Sequence, residues 1–252
     1  MLTVLGGGGW LPAHSRHTAT ALLRNGQTAI MLDAGTGVAR LLERPELLDG
    51  VIRLDILLTH FHLDHIAGLA YLPSLGLCEQ TIIWGPGSLL YVMATYQVLD
   101  RVSHEPFHPV PLEQQDIEVR DIPAGELELG SVRVHHRRQG RHSAPTLGFR
   151  FGDALAWITD TACDQGSTEL AAGCRLLAHE AWFTSQAPRN PEIHTSAAQA
   201  AEVAARAEVG QLMLIHLPPF QAGLVPLLSE AQEVFAEVSL ADDLRVLDEV
   251  TV

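Results

Sequence analysis

The stretch from Thr59 to His65 constrains this chain more than any other feature of its sequence. It reads Thr-His-Phe-His-Leu-Asp-His, so three imidazoles and one carboxylate fall within six positions. The apolar run Ile56-Leu57-Leu58 stands directly before it and predicts a buried strand over residues 55–59. Borderline metal ions prefer imidazole and carboxylate ligands, so the turn after this strand predicts two half-sites for such ions. The two predicted half-sites are His60 with His62, and Asp64 with His65.

Four neighbouring ligands are too few for two metal ions, so further ligands must come from distant parts of the chain. Asp160 follows the apolar run at residues 155–159, and His216 follows the apolar run at residues 212–215. Open α/β sheets usually place functional groups at the tips of buried strands. We therefore expect Asp160 and His216, together with His142, to complete the site.

The rest of the chain predicts alternating strands and helices. The pair Asn25-Gly26 is typical of a tight hairpin between strands at residues 18–24 and 28–33. Ser196 and Gln199 form a capping-box pattern for a helix that begins near Thr195 and ends at Gly210. Further strands are predicted at 2–5, 81–84, 132–134, 146–151, 155–158, 175–178, 211–215 and 244–247, and helices at 63–72, 88–101 and 225–238. Because no linker interrupts this pattern, we expect a single domain over residues 1–252, with two packed sheets and helices outside them.

Composition excludes several classes of protein. Hydrophobic residues make up 47% of the chain and charged residues 18%, which excludes a disordered chain. Thirty acidic and 16 basic residues give a net charge of −14, which argues against a broad surface for nucleic-acid phosphates. No run of about 18 apolar residues predicts a membrane helix, and the N-terminus shows no secretory signal. The three cysteines (Cys78, Cys163 and Cys174) indicate reduced thiols, so we expect a cytoplasmic protein.

Taken together, the motifs resemble the metallo-β-lactamase fold superfamily of binuclear metal hydrolases. Within it, the chain is most similar to the ribonuclease Z-like branch, which also holds small phosphodiesterases. The resemblance spans nearly the whole chain. It rests on the stretch from Thr59 to His65, called the ligand turn below, and on His142, Asp160 and His216. It also rests on the segments 6–9, 32–37, 142–150, 159–161, 179–181 and 194–202.

The resemblance implies a four-layer αββα sandwich, with two mixed sheets flanked by helices. It also implies two divalent metal ions, with zinc as the first candidate and manganese or iron as alternatives. One ion would be held by His60, His62 and His142, the other by Asp64, His65 and His216, and Asp160 would bridge both.

In this family the two metals activate a shared water that attacks the substrate. His194 matches the histidine that protonates the leaving group, and Glu180 matches the acid that orients it. Asp64 would also take part in proton transfer while it binds metal. Three features stay open. Asp33 either supports the metal turn or is a strand-end residue that caps a helix around residues 38–42. His179 belongs to the site or to the core, and the basic run Arg133–Arg141 contacts substrate or is simply solvated.

Two departures from the family pattern bear on the substrate. Ribonuclease Z enzymes carry a long tRNA-gripping arm between the counterparts of His142 and Asp160, whereas only 18 positions separate these residues here. His14 and His17 stand where those enzymes have Lys and Asn. With the acidic charge, this predicts a small anionic ester as partner, either a cyclic nucleotide or a short oligonucleotide, and makes extended nucleic acid unexpected. The resemblance also allows a homodimer.

Three other functions compete with a small phosphodiesterase. The first is a ribonuclease Z-type endonuclease for tRNA 3′ ends. The second is a lactonase or arylsulfatase-like hydrolase on the same metal core, although such enzymes generally lack the pair Glu180 and His194. The third is a metal-stabilised binding protein without turnover, which the complete ligand set disfavours.

Overall fold

The apolar runs of the sequence form two seven-stranded sheets in the computed structural model, which describes residues 1–76, 78–219, 224–250 and 252. In chain order the strands are β1 (Leu2–Gly6), β2 (Thr20–Asn25), β3 (Thr28–Leu32), β4 (Arg53–Leu57), β5 (Gln80–Gly85), β6 (Glu118–Asp121), β7 (Leu127–Leu129), β8 (Val132–Arg138), β9 (Leu147–Phe151), β10 (Leu155–Ile158), β11 (Leu176–Glu180), β12 (Gln211–Ile215), β13 (Val238–Leu240) and β14 (Val246–Leu247). The first sheet has the order β14-β1-β2-β3-β4-β5-β6, and the second has the order β13-β12-β11-β10-β9-β8-β7.

Short helices cover the outer faces of both sheets. They are α1 (Ala39–Glu43), α2 (Leu63–Ile66), α3 (Gly87–Leu90), α4 (Thr95–Asp100), α5 (Gln165–Ala171), α6 (Ala197–Arg206) and α7 (Val225–Gln232), with 3-10 turns at Thr36–Val38, Pro45–Leu48, Ala67–Ser74 and Leu112–Gln114. Among the helices of the described part of the chain, none combines the length and the apolar character needed to cross a bilayer. The expected cytoplasmic location stays a prediction.

Three buried clusters define the layers. The cluster between the sheets contains large side chains such as Phe149 and Trp157, both fully buried. A second cluster packs the alanine-rich face of α6 against β12, and a third packs α1 and α2 against β3 and β4. Strands covered on both faces are expected to be continuously apolar, as β10 and residues 212–215 of β12 are. This arrangement confirms the predicted four-layer αββα sandwich with two mixed sheets.

Parallel pairing brings the functional strand ends together. Strands β3 to β6 run parallel to one another, and so do β10 to β13. The carboxyl ends of parallel strands meet at one edge of a sheet, which is where this architecture places functional groups. Asp33 follows β3, the ligand turn follows β4, Asp160 follows β10 and His216 follows β12.

The predicted continuous helix over 88–101 is wrong, because the structure contains two helices there. Tyr91 and Ala94 are extended between α3 and α4. The cause is the side chain of Asp121 at the end of β6, which accepts the backbone N–H groups of Ser88 at 3.0 Å and Thr95 at 2.7 Å. One carboxylate therefore holds two separate helix starts.

Other predicted boundaries shift for similar local reasons. The helix expected over 63–72 is α2 followed by a 3-10 turn. The helix expected over 225–238 ends at Gln232, and Val238 instead belongs to β13, where it pairs with Leu212. The Ser196 and Gln199 capping box is confirmed by hydrogen bonds of 3.2 and 3.0 Å. However, α6 ends at Arg206, well before Gly210, and the left-handed residue after it is Glu208, with φ of 53°.

Candidate metal centre

The carboxylate of Asp160 lies at the middle of a cluster of imidazoles. Its Oδ2 atom is 3.1 Å from Nε2 of His65 and 3.3 Å from Nε2 of His216. Its Oδ1 atom is 3.4 Å from Nε2 of His142. The two oxygens therefore lie beside different ligand candidates, Oδ1 beside one of the first predicted set and Oδ2 beside two of the second.

The other six predicted ligands converge around this carboxylate. They form one group of His60, His62, His142 and Asp160, and a second group of Asp64, His65 and His216, each with its donor atoms within 4.8 Å of one another. His194 forms a further group of this kind with Asp160 and His216. The geometry places these residues together, while their roles as ligands stay a prediction.

The donor atoms of the cluster fit a divalent cation. Nε2 of His60 is buried and has no hydrogen-bond partner among the described residues. Leaving a buried polar atom unpaired costs about 1–3 kcal/mol, so such atoms call for an explanation. Burial lowers the pKa of His60 well below its usual value, which favours the neutral imidazole that metal binding requires. A cation bound at this nitrogen would satisfy it.

The backbone bends sharply where the strands deliver these side chains. Asp33, Asp160 and His216 have φ of 54°, 55° and 51°, in the left-handed region that residues with a side chain seldom adopt. Each such residue costs about 1–2 kcal/mol. Strain of this kind is concentrated at functional sites, and here it falls on strand ends of both sheets.

Asp33, left open by the sequence, contacts the ligand turn directly. Its Oδ1 accepts hydrogen bonds from the backbone N–H and the hydroxyl of Thr59, at 2.8 and 2.9 Å. Its Oδ2 lies 3.1 Å from Nδ1 of His65. A carboxylate beside one imidazole nitrogen leaves the other free for a metal, and so orients the ring. Asp33 thus holds both ends of the turn in place.

Asp64 and His142 are oriented in a similar way. The Nδ1–H of His142 donates to the carbonyl of Ile193 at 3.1 Å, which leaves Nε2 for a metal. Oδ2 of Asp64 accepts the backbone N–H of Trp10 at 2.8 Å and lies 3.3 Å from Nε2 of His216. Although burial raises the pKa of Asp64, the neighbouring imidazoles His65 and His216 outweigh it and hold that pKa below its usual range.

Beside this cluster, Glu180 and His194 form a buried pair. Oε2 of Glu180 is 2.8 Å from Nδ1 of His194, and Oε1 accepts the backbone N–H of Thr161 at 2.6 Å. Burial raises the pKa of Glu180 and lowers that of His194. Their hydrogen bond opposes both shifts, because a carboxylate and an imidazolium form the stronger bond.

Trp182 is a site residue that the sequence did not single out. Its ring stacks on His194, with centroids 5.0 Å apart and planes at 26°, and lies 5.4 Å from His216. It therefore fixes two imidazoles of the centre by packing. The only sequence signal is its position two residues after Glu180, which does not distinguish it from a core aromatic.

Other histidines and the basic run lie outside the centre. His179 is buried with its Nδ1 2.9 Å from the carbonyl of Glu180, and burial lowers its pKa to about 4. In the run Arg133–Arg141, Arg137 forms a two-bond pair with Asp164, at 2.9 and 2.7 Å. Neither His179 nor any arginine of that run lines the cavity beside the candidate ligands.

That cavity has a volume of about 920 Å³ and opens to the surface. Five of the seven candidate ligands line it together with His194, namely His62, Asp64, His142, Asp160 and His216. Its remaining wall carries apolar groups from Trp10, Leu11 and Leu63, and polar groups that include Arg189. The cavity is large enough for a small ester, and it brings such a ligand directly onto the cluster.

The fold and the site together define the class of protein. Residues 28–217 match the model of the β-lactamase superfamily domain. The chain belongs to this superfamily and is a hydrolase of the metallo-β-lactamase fold, a family that uses divalent metal ions.

The chain is more particularly homologous to ribonuclease Z proteins. Ribonuclease Z of Mycobacterium avium is 32% identical over 273 aligned positions, which cover 97% of this chain and 96% of that protein. Among solved structures, YhfI from Bacillus subtilis has a TM-score of 0.79 with 22% identity, and 98% of each chain is covered. The short form of human tRNase Z has a TM-score of 0.71 with 22% identity, covering 100% of this chain and 99% of that one. The chain thus lies in the ribonuclease Z-like branch, as its motifs predicted.

One expectation about partners is wrong. The acidic charge and the missing arm made extended nucleic acid an unexpected partner. Homologues that match nearly the whole chain are nevertheless named ribonuclease Z, and a structural neighbour is a tRNase Z. Net charge describes the average surface, whereas a metal centre can bind phosphates locally, so the charge does not exclude such a partner.

Replacing Gly9 by alanine is expected to displace His216. A Cβ atom at Gly9 would lie 2.5 Å from Cε1 of His216 and 2.6 Å from its Nε2, closer than real Cβ contacts. We expect Gly9→Ala to weaken binding of one metal ion about 10- to 100-fold, as changes beside a metal ligand typically do. Metal titration followed by elemental analysis measures this. Gly76→Ala is the matched control, because a Cβ there meets nothing within 4 Å. Equal metal affinity in both variants would contradict the placement of His216.

Proposed function

We propose that this chain hydrolyses phosphodiesters at a centre of two divalent metal ions. The observation that carries the proposal is the pair of Glu180 and His194 beside the ligand cluster. The ring centroid of His194 lies 5.0 Å from that of His142 and 5.9 Å from that of His216. A proton donor so close to the centre suits a reaction that expels a poorly stabilised alkoxide.

Zinc is the first candidate for the metal, with manganese and iron as alternatives, because imidazole and carboxylate ligands accept all three. When bound, such ions activate water and neutralise the charge of a phosphoryl group. The proposed ligands of one ion are His60, His62 and His142, those of the other are Asp64, His65 and His216, and Asp160 serves both.

The protein's own residues handle the protons. Glu180 accepts the Nδ1–H of His194 and so keeps Nε2 of this imidazole for the substrate. From Nε2, His194 would protonate the leaving oxygen as the P–O bond breaks. Asp64 is ionised, because nearby imidazoles lower its pKa, and its carboxylate would accept the proton that the attacking water loses.

Two observations bear on the size of the substrate. The chain from His142 to Asp160 contains only the hairpin of β9 and β10, which leaves no segment for a projecting arm. The alignment with the Mycobacterium avium ribonuclease Z covers more positions than this chain has residues, so that relative carries segments missing here. We therefore propose a cyclic nucleotide or a short oligonucleotide as the first candidate substrate. Cleavage of RNA 3′ ends is the second, favoured by the homologues' name.

A substrate panel tests the proposal. It comprises bis-p-nitrophenyl phosphate, a p-nitrophenyl sulfate, a lactone, cyclic nucleotides and a tRNA with a 3′ extension, each with zinc or manganese supplied. We expect hydrolysis of bis-p-nitrophenyl phosphate, its loss with a chelator and its return when metal is restored. Comparison of the cyclic nucleotides with the tRNA decides between the two candidate substrates. Hydrolysis of the lactone or the sulfate alone would overturn the proposal.

A further inference from the structure

The rim of the cavity carries one exposed tryptophan. Trp10 is 56% exposed, whereas Trp84, Trp157 and Trp182 are 7%, 0% and 6% exposed. An indole is among the largest apolar groups a protein can bury, so one that stays more than half exposed beside a cavity gives up part of that stabilisation. Leu11 and Leu63 line the same cavity and are also exposed, at 46% and 68%. Exposed apolar surface at a cavity mouth is typical of a binding site.

The backbone fixes Trp10 relative to the candidate ligands. Its N–H donates to Oδ2 of Asp64 at 2.8 Å, and the preceding residue, Gly9, packs against the ring of His216. Trp10 has φ of 61°, a left-handed conformation that is costly for any residue with a side chain. The indole therefore projects from a main chain that touches the metal centre, and one small molecule can contact both.

The charge of the cavity wall indicates which part of a ligand the indole contacts. The chain has no lysine and a net charge of −14, and Arg189 is the one basic side chain among the described residues that line the cavity. Affinity for the organic part of a phosphodiester must then come largely from neutral contacts. A nucleobase is planar and neutral, and it stacks on aromatic side chains whatever its sequence.

We propose that Trp10 is the platform on which the base of a nucleotide phosphodiester stacks while its phosphate lies at the metal centre. This inference rests on the proposed phosphodiesterase function and adds the residue that would bind the base of a nucleotide substrate. Trp182, which also lines the cavity, is only 6% exposed, so too little of its indole is accessible for a base to stack on it.

Two chromogenic substrates isolate this contact. Thymidine 5′-(p-nitrophenyl phosphate) and methyl p-nitrophenyl phosphate expel the same leaving group and differ in the ester that stays on phosphorus. We expect Trp10→Ala to lower the ratio of their kcat/KM values, thymidine to methyl, about 5- to 100-fold, because one base–aromatic stack is lost. Trp10→Phe should keep most of the ratio, since it keeps an aromatic face.

Phe107→Ala is the matched control, because Phe107 is 75% exposed but lines a different cavity. Its ratio should equal that of the unchanged protein. An unchanged ratio of the two kcat/KM values in Trp10→Ala would overturn the proposal that a base stacks on Trp10. So would an equal fall in kcat/KM for both substrates, because Trp10 would then act only through Asp64.

Equilibrium binding separates this inference from the function on which it rests. Calorimetry of the metal-loaded protein with thymidine 5′-monophosphate and with methyl phosphate needs no turnover. If neither chromogenic substrate is hydrolysed, the phosphodiesterase proposal fails, while tighter binding of the thymidine compound that is lost in Trp10→Ala would still support the platform. Equal binding of both compounds would overturn it.

Discussion

Asp160→Asn is expected to empty both groups of candidate ligands at once and to lower kcat/KM about 1000-fold or more. Asparagine keeps the shape of the side chain but replaces one oxygen by an NH₂ group that cannot bind a cation. The two oxygens of Asp160 face His142 on one side and His65 and His216 on the other, so the substitution affects both groups. Elemental analysis after dialysis at a fixed zinc concentration measures the stoichiometry.

Two further variants make this result specific. His62→Ala removes a ligand of only one group, so it should keep the ion of the group that contains Asp64. Asp153→Asn changes an exposed carboxylate on the turn between β9 and β10 and should retain full metal content and activity. Two tightly bound ions in Asp160→Asn would show that Asp160 does not bridge. Retention of the protein's function without metal would favour a binding protein over an enzyme.

Thermal unfolding gives an independent measure of the expected loss of metal binding in Asp160→Asn. A ligand that binds only the folded state raises the stability by an amount that grows with its concentration relative to Kd. The melting temperature of the unchanged protein should therefore rise with added zinc, and that of Asp160→Asn should rise much less. The melting temperatures without zinc separate the two causes. A value below that of the metal-free unchanged protein would show that Asp160→Asn destabilises the fold itself, and an equal value would show that only binding is lost.

The ligand turn could be predicted from the sequence because its information is local. A buried strand followed by closely spaced imidazoles and a carboxylate determines both where the residues lie and what they can bind. The same reasoning extends to Asp160 and His216, since each follows an apolar run that could only be a buried strand. Parallel pairing then brings these ends to one edge, as the structure shows for β10 and β12.

Contacts between distant residues could not be predicted in this way. The hydrogen bond from Trp10 to Asp64 joins residues 54 positions apart, and Gly9 meets His216 only after the two sheets have packed. The break between α3 and α4 has the same origin, because it depends on Asp121 from another strand. The periodicity of apolar residues indicates which secondary structure a segment prefers. These contacts depend instead on residues from distant parts of the chain that pack against that segment.

The error about partners has a different physical source. A net charge of −14 sums over the whole surface, but a substrate meets only the cavity and the ions beside it. Interactions between exposed charges are screened beyond about 10 Å at ordinary ionic strength, so distant carboxylates contribute little there. The composition of a chain therefore constrains broad electrostatic surfaces and leaves the local chemistry of a metal centre open.

His194→Ala is expected to affect substrates according to their leaving groups. General acid catalysis typically contributes about 10²- to 10⁴-fold, and only when the departing oxygen needs a proton. We expect a loss of this size for thymidylyl-thymidine, which expels an alkoxide, and a much smaller loss for bis-p-nitrophenyl phosphate, which expels a stable phenolate. Steady-state kinetics on both substrates measures the difference. Equal losses would indicate instead that His194 acts as a ligand, with Asp160 and His216.

The pH dependence of the rate in Glu180→Gln tests the proton that His194 would donate to the leaving oxygen. His194 donates only while it is protonated, so the rate with thymidylyl-thymidine should fall as pH rises through the pKa of His194. Burial lowers that pKa, and the negative charges of Asp160 and Asp64 oppose the effect. The carboxylate of Glu180 lies 2.8 Å from Nδ1, and a hydrogen bond to an ionised carboxylate favours the imidazolium. Removing its charge should lower the pKa further and move the alkaline limb of the profile to lower pH. A limb that stays in place in Glu180→Gln, or that appears equally with the phenolate substrate, would assign the titration to another group, because only the alkoxide reaction depends on this proton.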